Sequence, residues 1–431
     1  MSPETLATLI LLGGFVLLLL LSVLVALCMA FTSIVAGYVL DISPTTIGQK
    51  MVDGLNSFPL IAIPFFILAG EIMAEGGISR RLIALSNLVV GWLRGGLAMV
   101  DVVASMFFGG ISGSSVADAS AIGSVMIPMM RKKGYDNDYA TSVTMASAAQ
   151  GVIIPPSQNM IIYSLAAGGV SIGALFAGGI IPGILLGLAV MVLSYVIAVR
   201  RGYPKEAPVP LREVPRIVWE GFLGLLTPVI ILGGILSGVF TATESAAIAT
   251  AYAFVVTFFV YREIPLRRMV PILQRTIRTV SIVFFLISAA SAFGFLLTLL
   301  GIPSAMSHAL LSISTNKYVV LFMVNVLLLF LGTFMDMAPL ILIMTPILLP
   351  VVTQVGMSPV HFGVMLIFNL AIGLITPPVG SVLFVGTAIG KISMEKLSVS
   401  MLPFYVPLLV VLFLITFVPA FVMTIPRLMG L

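Results

Sequence analysis

The stretch FFGGISGSSVADASAIGSVMIPMMRKKGYDNDYATSVTMASAAQGVIIPPSQN, residues 107–159, decides how the rest of the chain is read. It is apolar enough to sit in lipid, yet glycine, serine and proline break it twice, and Asp118 lies inside its first apolar run. Hydrocarbon offers no partner to backbone N–H and C=O groups. A broken helix therefore survives at membrane depth only where protein or a water-filled cavity covers it. The stretch reads as a binding site rather than as a plain span.

Composition sets the class. The chain has 431 residues, 60% of them hydrophobic and 9% charged, with a mean hydropathy of +1.22; a soluble domain carries about 25% charged residues. Runs of the ~20 apolar residues that cross a bilayer recur along the whole length, and the short alternating segments of a membrane β-barrel are absent. The reading is an all-α polytopic membrane protein set in a lipid bilayer. Its net charge of +5 does not point to nucleic acid, because Lys and Arg cluster at the ends of apolar spans, as positive-inside bias requires. Cys28, the single cysteine, permits no disulfide framework and reads as a small buried hydrophobe. Residues 6–27 are too long for a cleaved signal peptide and lack its basic n-region, so they read as a first span with the N-terminus periplasmic.

Along the chain, residues 5–40 suggest two helices meeting near Cys28 to Ser33, and 41–57 a polar interfacial segment. A span from Phe58 to Ala74 ends at EGGISRR, whose Arg80 and Arg81 mark the cytoplasmic side; residues 82–94 are amphipathic and suit the interface. RKKGYDND (131–138) is a second cytoplasmic turn, and the Pro-rich, charged segment 200–216 is the clearest internal boundary. Two spans follow at about 217–240 and 243–261, then further apolar spans to the C-terminus.

The second half repeats the punctuation of the first. A shift of 222 residues carries Gly110 to Gly332, Pro128 to Pro350, Gly134 to Gly356, Gly151 to Gly373, and Pro155-Pro156 to Pro377-Pro378. RKKGYDND has the uncharged TQVGMSPV (353–360) as its counterpart, so one copy is basic where the other is neutral. That is what inversion across the membrane requires, and inverted repeats with paired interrupted helices point to the midplane site of a secondary transporter.

GGISGSSVAD (109–118) and LGTFMDMAP (331–339) then form the tips of two re-entrant hairpins, and GVIIPPSQN (151–159) and GLITPPVGS (373–381) two unwound joints within spans. Proline frees the carbonyl four residues earlier. Freed carbonyls with Ser or Thr hydroxyls make cages for a small hard cation, and half-helix N-termini suit an anionic substrate. A carboxylate inside a span costs at least ~2.5 kcal/mol on insertion scales, so Asp118 and Asp336 read as functional, against the competing reading of Asp118 as a cap on the second hairpin helix. Glu71 and Glu244 read as caps or ion pairs near span ends, and His308 and His361 as interfacial side chains. No G-x-x-x-x-G-K-[ST] loop occurs, which removes nucleotide as a cofactor. Neither histidine is placed near the serine-rich tips, so the chain does not read as an intramembrane enzyme.

PLIAIPFFILAGEIMAEGGISRRL (59–82), MFFGGISGSSVADASAIGSVMIPMMRKKGYD (106–136), VIIPPS (152–157) and GLITPPVG (373–380) closely resemble the large membrane subunit of tripartite ATP-independent periplasmic (TRAP) transporters. The resemblance covers nearly the whole chain. It implies an elevator-type fold with two inverted repeats, and sodium-driven uptake of an organic acid across the bacterial inner membrane. It further implies two partners, a small four-helix membrane subunit and a periplasmic substrate-binding protein. On this pattern residues 1–57 are scaffold helices and 58–199 the first repeat, with a hairpin at 95–130 and a broken span at 138–168. Residues 200–275 are a cytoplasmic linker with scaffold helices, and 276–431 the second repeat, with a hairpin at 317–350 and a broken span at 361–390.

Carried over by motif, Ser112, Ser115, Asp118, Gly151, Ile154 and Pro156 look like one sodium site, and Gly332, Thr333, Asp336, Gly373, Thr376 and Pro378 like its symmetry mate. Substrate falls between them, near Ser114, Ser157, Asn159 and Asp336. The chain departs from the pattern after Pro-Pro-Ser, where Gln158-Asn159 replace an apolar residue and proline. These amides suit either a polyhydroxylated substrate or the unwound backbone. The alternative within transport is a stand-alone homodimeric sodium/dicarboxylate symporter of the same superfold.

Overall fold

The structure is a computed structural model that describes residues 2–205 and 209–431. Among the described residues every element is a helix, and eight helices are long and apolar enough to cross a membrane, from Pro3–Leu20 to Met394–Phe417. The first break comes at Leu21 to Leu24, where Ser22 is left-handed (φ 60°), and not at Cys28 to Ser33, which lie inside helix Val25–Val39. The Thr32 hydroxyl donates to the Cys28 carbonyl at 2.7 Å, so the helix satisfies this polar residue without opening. Cys28 is buried, as a small hydrophobe should be.

The repeat is built into the backbone. Helices Gly96–Ser112, Asn137–Ala148 and Gln158–Ala166 in the first half are matched by Lys317–Gly332, Pro359–Gly373 and Ser381–Gly390 in the second. Both hairpins leave the bundle through a left-handed glycine, Gly134 (φ 87°) and Gly356 (φ 80°). The next amide reaches back to close each helix end, Tyr135 to Met130 at 3.1 Å and Met357 to Val352 at 2.9 Å. Both Pro-Pro joints are cis. Outside the hairpins, left-handed residues Asp41 and Arg262 lie 221 apart, one residue off the repeat's register.

Two hydrogen bonds fix the relative direction of the copies. Asn137, at the start of the first broken span, donates to Gly390 at the end of the second (2.6 Å), and Tyr163, near the end of the first, donates to Pro359 at the start of the second (2.6 Å). Start meets end in both cases, so the broken spans run antiparallel, as inversion demands. Each hairpin's returning arm packs against the far half of the other copy's broken span.

Around this unit stands a second group of helices. Leu266–Leu299 packs against Val25–Val39, Pro44–Asp53 and Phe58–Glu75, and Ala242–Tyr261 packs along Phe58–Glu75. Hydroxyls tie these helices to neighbouring carbonyls, Thr250 to Phe65 (2.8 Å) and Ser288 to Met51 (3.0 Å). At the basic end Arg81 pairs with Glu263 at 2.8 Å and lies over the Tyr261 ring at 3.7 Å. Glu244 completes a capping box with Thr241. His361 is buried, with Nε2 2.7 Å from the Ile415 carbonyl, and is therefore not an interfacial side chain. The histidine sits in the first turn of its helix, where the neighbouring helix covers it; His308 is exposed.

A clasp closes the turn after the first hairpin. Asp136 accepts from Tyr203 at 2.7 Å and from Arg201 at 2.8 Å, which holds its carboxyl below the usual range. A depressed carboxyl stabilises the fold above its unfolded value of about 3.9 and loses that contribution as pH falls through the lower folded value. Tyr203→Phe should cost about 1 kcal/mol at pH 7, given the exposure of the pair. In thermal unfolding the gap from wild type should narrow as the medium is acidified; a gap that widens would place the effect elsewhere.

Candidate cation and substrate site

The first hairpin turns at Gly113 (φ 60°), whose amide donates to Gly109 at 2.9 Å. The chain is extended at Ser114 and becomes helical again at Ser115. Ser114 is the cap of the returning helix: its hydroxyl accepts from the Ala117 amide at 3.3 Å. The capping role weighed for Asp118 therefore belongs to Ser114, and Asp118 is left fully buried with neither carboxylate oxygen hydrogen-bonded.

The broken span reaches the tip backbone to backbone. A Cβ on Gly151 would lie 3.1 Å from the Ser114 carbonyl oxygen, and one on Gly109 would lie 2.8 Å from the Gly151 Cα. In the second copy a Cβ on Gly373 would lie 2.8 Å from the Gly332 Cα, and the Val379 amide donates to the Thr333 carbonyl at 3.1 Å. Only glycine permits this approach. Pro155 and Pro377 withdraw the amides that the carbonyls of Gly151 and Gly373 would meet in an α-helix, and the Gly373 carbonyl accepts from the Thr376 amide at 3.0 Å instead. In both copies a tip carbonyl, of Ser114 or of Gly332, thus lies against the joint glycine.

The side chains at the two tips are unequal. In the first, the Ser115 hydroxyl, both Asp118 oxygens, the Ser157 hydroxyl and both amide atoms of Gln150 are buried without a hydrogen-bond partner. The Ser112 hydroxyl lies 3.4 Å from the Ser114 carbonyl. Orphaned oxygens of this kind, around a carboxylate, suit a hard cation. In the second, the Thr333 and Thr376 hydroxyls already donate to Phe330 (2.8 Å) and Ile372 (2.6 Å), which leaves their lone pairs as ligands, and Asp336 stands at the N-cap of Met337–Gln354 with solvent access. Under the shift of 222, Asp336 corresponds to Ser114, and Asp118 corresponds to Leu340. The two acids are therefore not register mates: one stands at the N-cap position of a tip without a capping hydrogen bond, the other a turn deeper inside the bundle.

A cleft of about 620 Å³ opens beside the first tip. Ser112, Ser114 and Gln158 line one wall; Glu71, Arg275 and Thr279 line the other. Arg275 is held by Glu71 at 2.9 Å and Glu75 at 2.7 Å. A second cleft of about 480 Å³ runs between Lys50, Ser291 and Thr298 on one side and Ala166, Leu342 and Pro346 on the other. Both clefts run along Leu266–Leu299, the first on its N-terminal part and the second on its C-terminal part.

Of the residues expected around substrate, Ser114 lines the first cleft, whereas Ser157 and Asn159 are buried and Gln158 presents its side chain in Asn159's stead. Asp336 is not among the residues lining that cleft. Sequence reasoning missed three contributors. Asp101 and Gln150 are fully buried, and Arg275 faces the tip across the cleft. Asp101 had a signal, a lone carboxylate in the apolar run GGLAMVDVVASMFF (95–108); Arg275, beside the basic segment REIPLRRM, had none.

A sequence profile described as the DctM component of tripartite ATP-independent periplasmic transporters matches residues 12–421. The chain belongs to the DctM family. It is 42% identical over 380 residues to the sialic acid TRAP transporter large permease protein SiaM of Vibrio cholerae, covering 88% of this chain and 89% of that one. It is 36% identical over 399 residues to the C4-dicarboxylate TRAP transporter large permease protein DctM of Rhodobacter capsulatus, covering 90% and 91%. Among solved structures it is similar in fold to the YdaH transporter of Alcanivorax borkumensis, with a TM-score of 0.61, 15% identity and coverage of 85% and 86%. This DctM-family chain is a multi-pass transporter permease and not an enzyme.

Proposed function

We propose that this chain carries a small organic acid inward across the bacterial inner membrane, driven by sodium, with the paired hairpins and broken spans moving as one unit against the helices around Leu266–Leu299. The observation that carries the reading is the first tip. Its orphaned carboxylate and hydroxyl oxygens suit a cation, beside a cleft large enough for a sugar acid or a C4-dicarboxylate. Two clefts at opposite ends of the same scaffold helix suit an elevator stroke. The basic ends at Arg80-Arg81 and Arg131 to Lys133 support a reading with the first cleft on the cytoplasmic side and the N-terminus outside. Ser112, Ser115, Asp118 and the carbonyls of Gly151, Ile154 and Pro156 would hold one sodium ion. Gly332, Thr333, Asp336, Gly373, Thr376 and Pro378 would hold a second. Ser114 and Gln158 would meet the substrate, with Ser157 and Asn159 behind them.

Two partners belong to this reading, a small four-helix membrane subunit and a periplasmic binding protein that delivers the acid. SiaM and DctM bear the names of a sugar acid and of dicarboxylates, and the hydroxyls and amide of the first tip suit hydroxylated anions of either kind. The test is uptake into liposomes that hold this chain with the small subunit, supplied with the loaded binding protein. Uptake should collapse when the inward sodium gradient is removed; transport of undiminished rate without sodium would end the proposal. Co-purification separates it from a stand-alone homodimer, which would appear as a symmetric pair without a small subunit. A thermal-shift screen of the cognate binding protein names the acid.

A further inference from the structure

Deeper in the first repeat than the tip, three helices meet around a second carboxylate. Asp101 and Ser105 lie one turn apart on Gly96–Ser112, Asp118 on Ser115–Ala121 and Thr144 on Asn137–Ala148, and these helices pack on one another. Asp118 faces both Asp101 and Ser105, and Asp101 faces Thr144. All four residues are fully buried. Both oxygens of each carboxylate and the Ser105 hydroxyl have no hydrogen-bond partner. Thr144 spends its hydrogen on the Ala140 carbonyl at 2.9 Å, so it offers its neighbours an oxygen and not a proton. The ionisable group that Asp118 meets is Asp101, and among the described residues no basic side chain acts on either.

Two buried carboxylates with only oxygen around them are neutralised either by a shared proton or by a compensating cation, and the two buried hydroxyl oxygens beside them suit a cation. We propose that Asp101, Ser105, Asp118 and Thr144 form an inner site for a monovalent cation, sodium, in addition to the ion at the tip. Asp118 stands between the two. With one ion at the tip and one inside, two positive charges match the two carboxylates and the buried first repeat becomes neutral. The second repeat has no such site: under the shift of 222, Asp101 falls on Met323 and Asp118 on Leu340. The inner ion therefore makes the two halves of the transporter unequal in the number of cations they carry. The inference rests on the sodium-coupled reading above.

The experiment is equilibrium binding of radioactive sodium to the purified complex of this chain with its small subunit. Wild type is compared with Asp101→Asn and with Ser105→Ala, which keeps both carboxylates. Asp101→Asn should bind one sodium ion fewer per transporter at saturation while the remaining ions still bind. Ser105→Ala should keep the count and weaken the affinity of one ion several-fold. Equal counts and affinities in all three proteins would overturn the inner site and leave sodium coupling intact. Equal sodium counts with one proton fewer released by Asp101→Asn on alkalinisation would assign the carboxylates to a shared proton and likewise overturn it. A wild-type complex that binds no sodium would overturn both the inner site and the coupled reading.

Discussion

Asp118→Ala should abolish sodium-driven uptake while the complex still assembles. The carboxylate is fully buried, and neither of its oxygens has a hydrogen-bond partner in the protein. Deleting the charged ligand of a buried cation costs at least ~3 kcal/mol, which lowers ion affinity about 100-fold. The effect on the fold runs the other way. An unpaired carboxylate in the bundle interior is a burden without its ion, so Asp118→Asn should melt at the same temperature as wild type or higher in sodium-free buffer. Wild type should gain about 2.7 kcal/mol from sodium at 100 times its Kd, and the variant should gain far less. Near-normal transport by Asp118→Ala would remove this residue from the site; a variant that fails to assemble would make its role structural.

Gly373→Ala should damage the second site through geometry alone. The added Cβ would lie 2.7 Å from the Gly332 carbonyl oxygen and 2.8 Å from its Cα. Those neighbours are backbone, so the tip itself must move, at a typical cost of 1–3 kcal/mol for overpacking. Carbonyl ligands cannot shift by several tenths of an ångström and still close on a sodium ion, so sodium affinity and uptake should fall at least tenfold while the complex stays folded. Gly233→Ala is the matching control. It lies within helix Val214–Leu236 with nothing within 4 Å of the new carbon, so transport should be unchanged. Unaltered sodium affinity in Gly373→Ala would show that the approach of tip and joint does not shape a site.

How much of this was legible in the residues depended on the kind of signal. Chain-local features were readable: span-length apolar runs, glycines and prolines that break them, and a register of 222 that pairs the breaks. The all-helical membrane architecture followed from these, and the permease family from the resemblance of whole motifs such as 106–136. The length of the apolar run 5–40 called for two helices, but put their junction at Cys28 to Ser33, where the helix is unbroken, and not at Leu21 to Leu24. Local reasoning also took His361 for an interfacial side chain, because nothing in its neighbourhood announces the Ile415 carbonyl that meets it.

The sequence by itself determined where the chain must break inside the membrane, because proline, glycine and buried charge carry their consequences in their own chemistry. It determined too that two such breaks occur in each half, basic on one side and neutral on the other. Which side chains face one another was decided only by the tertiary structure. A residue turns by about 100° for each step along a helix, so the exact restart at Ser115 sends Asp118 inward to Asp101 and leaves the cap to Ser114. The restart at Gln158 likewise puts that amide in the cleft and Asn159 behind it. Asp101 and Arg275 joined the site because other helices brought them there, over separations that no local pattern records.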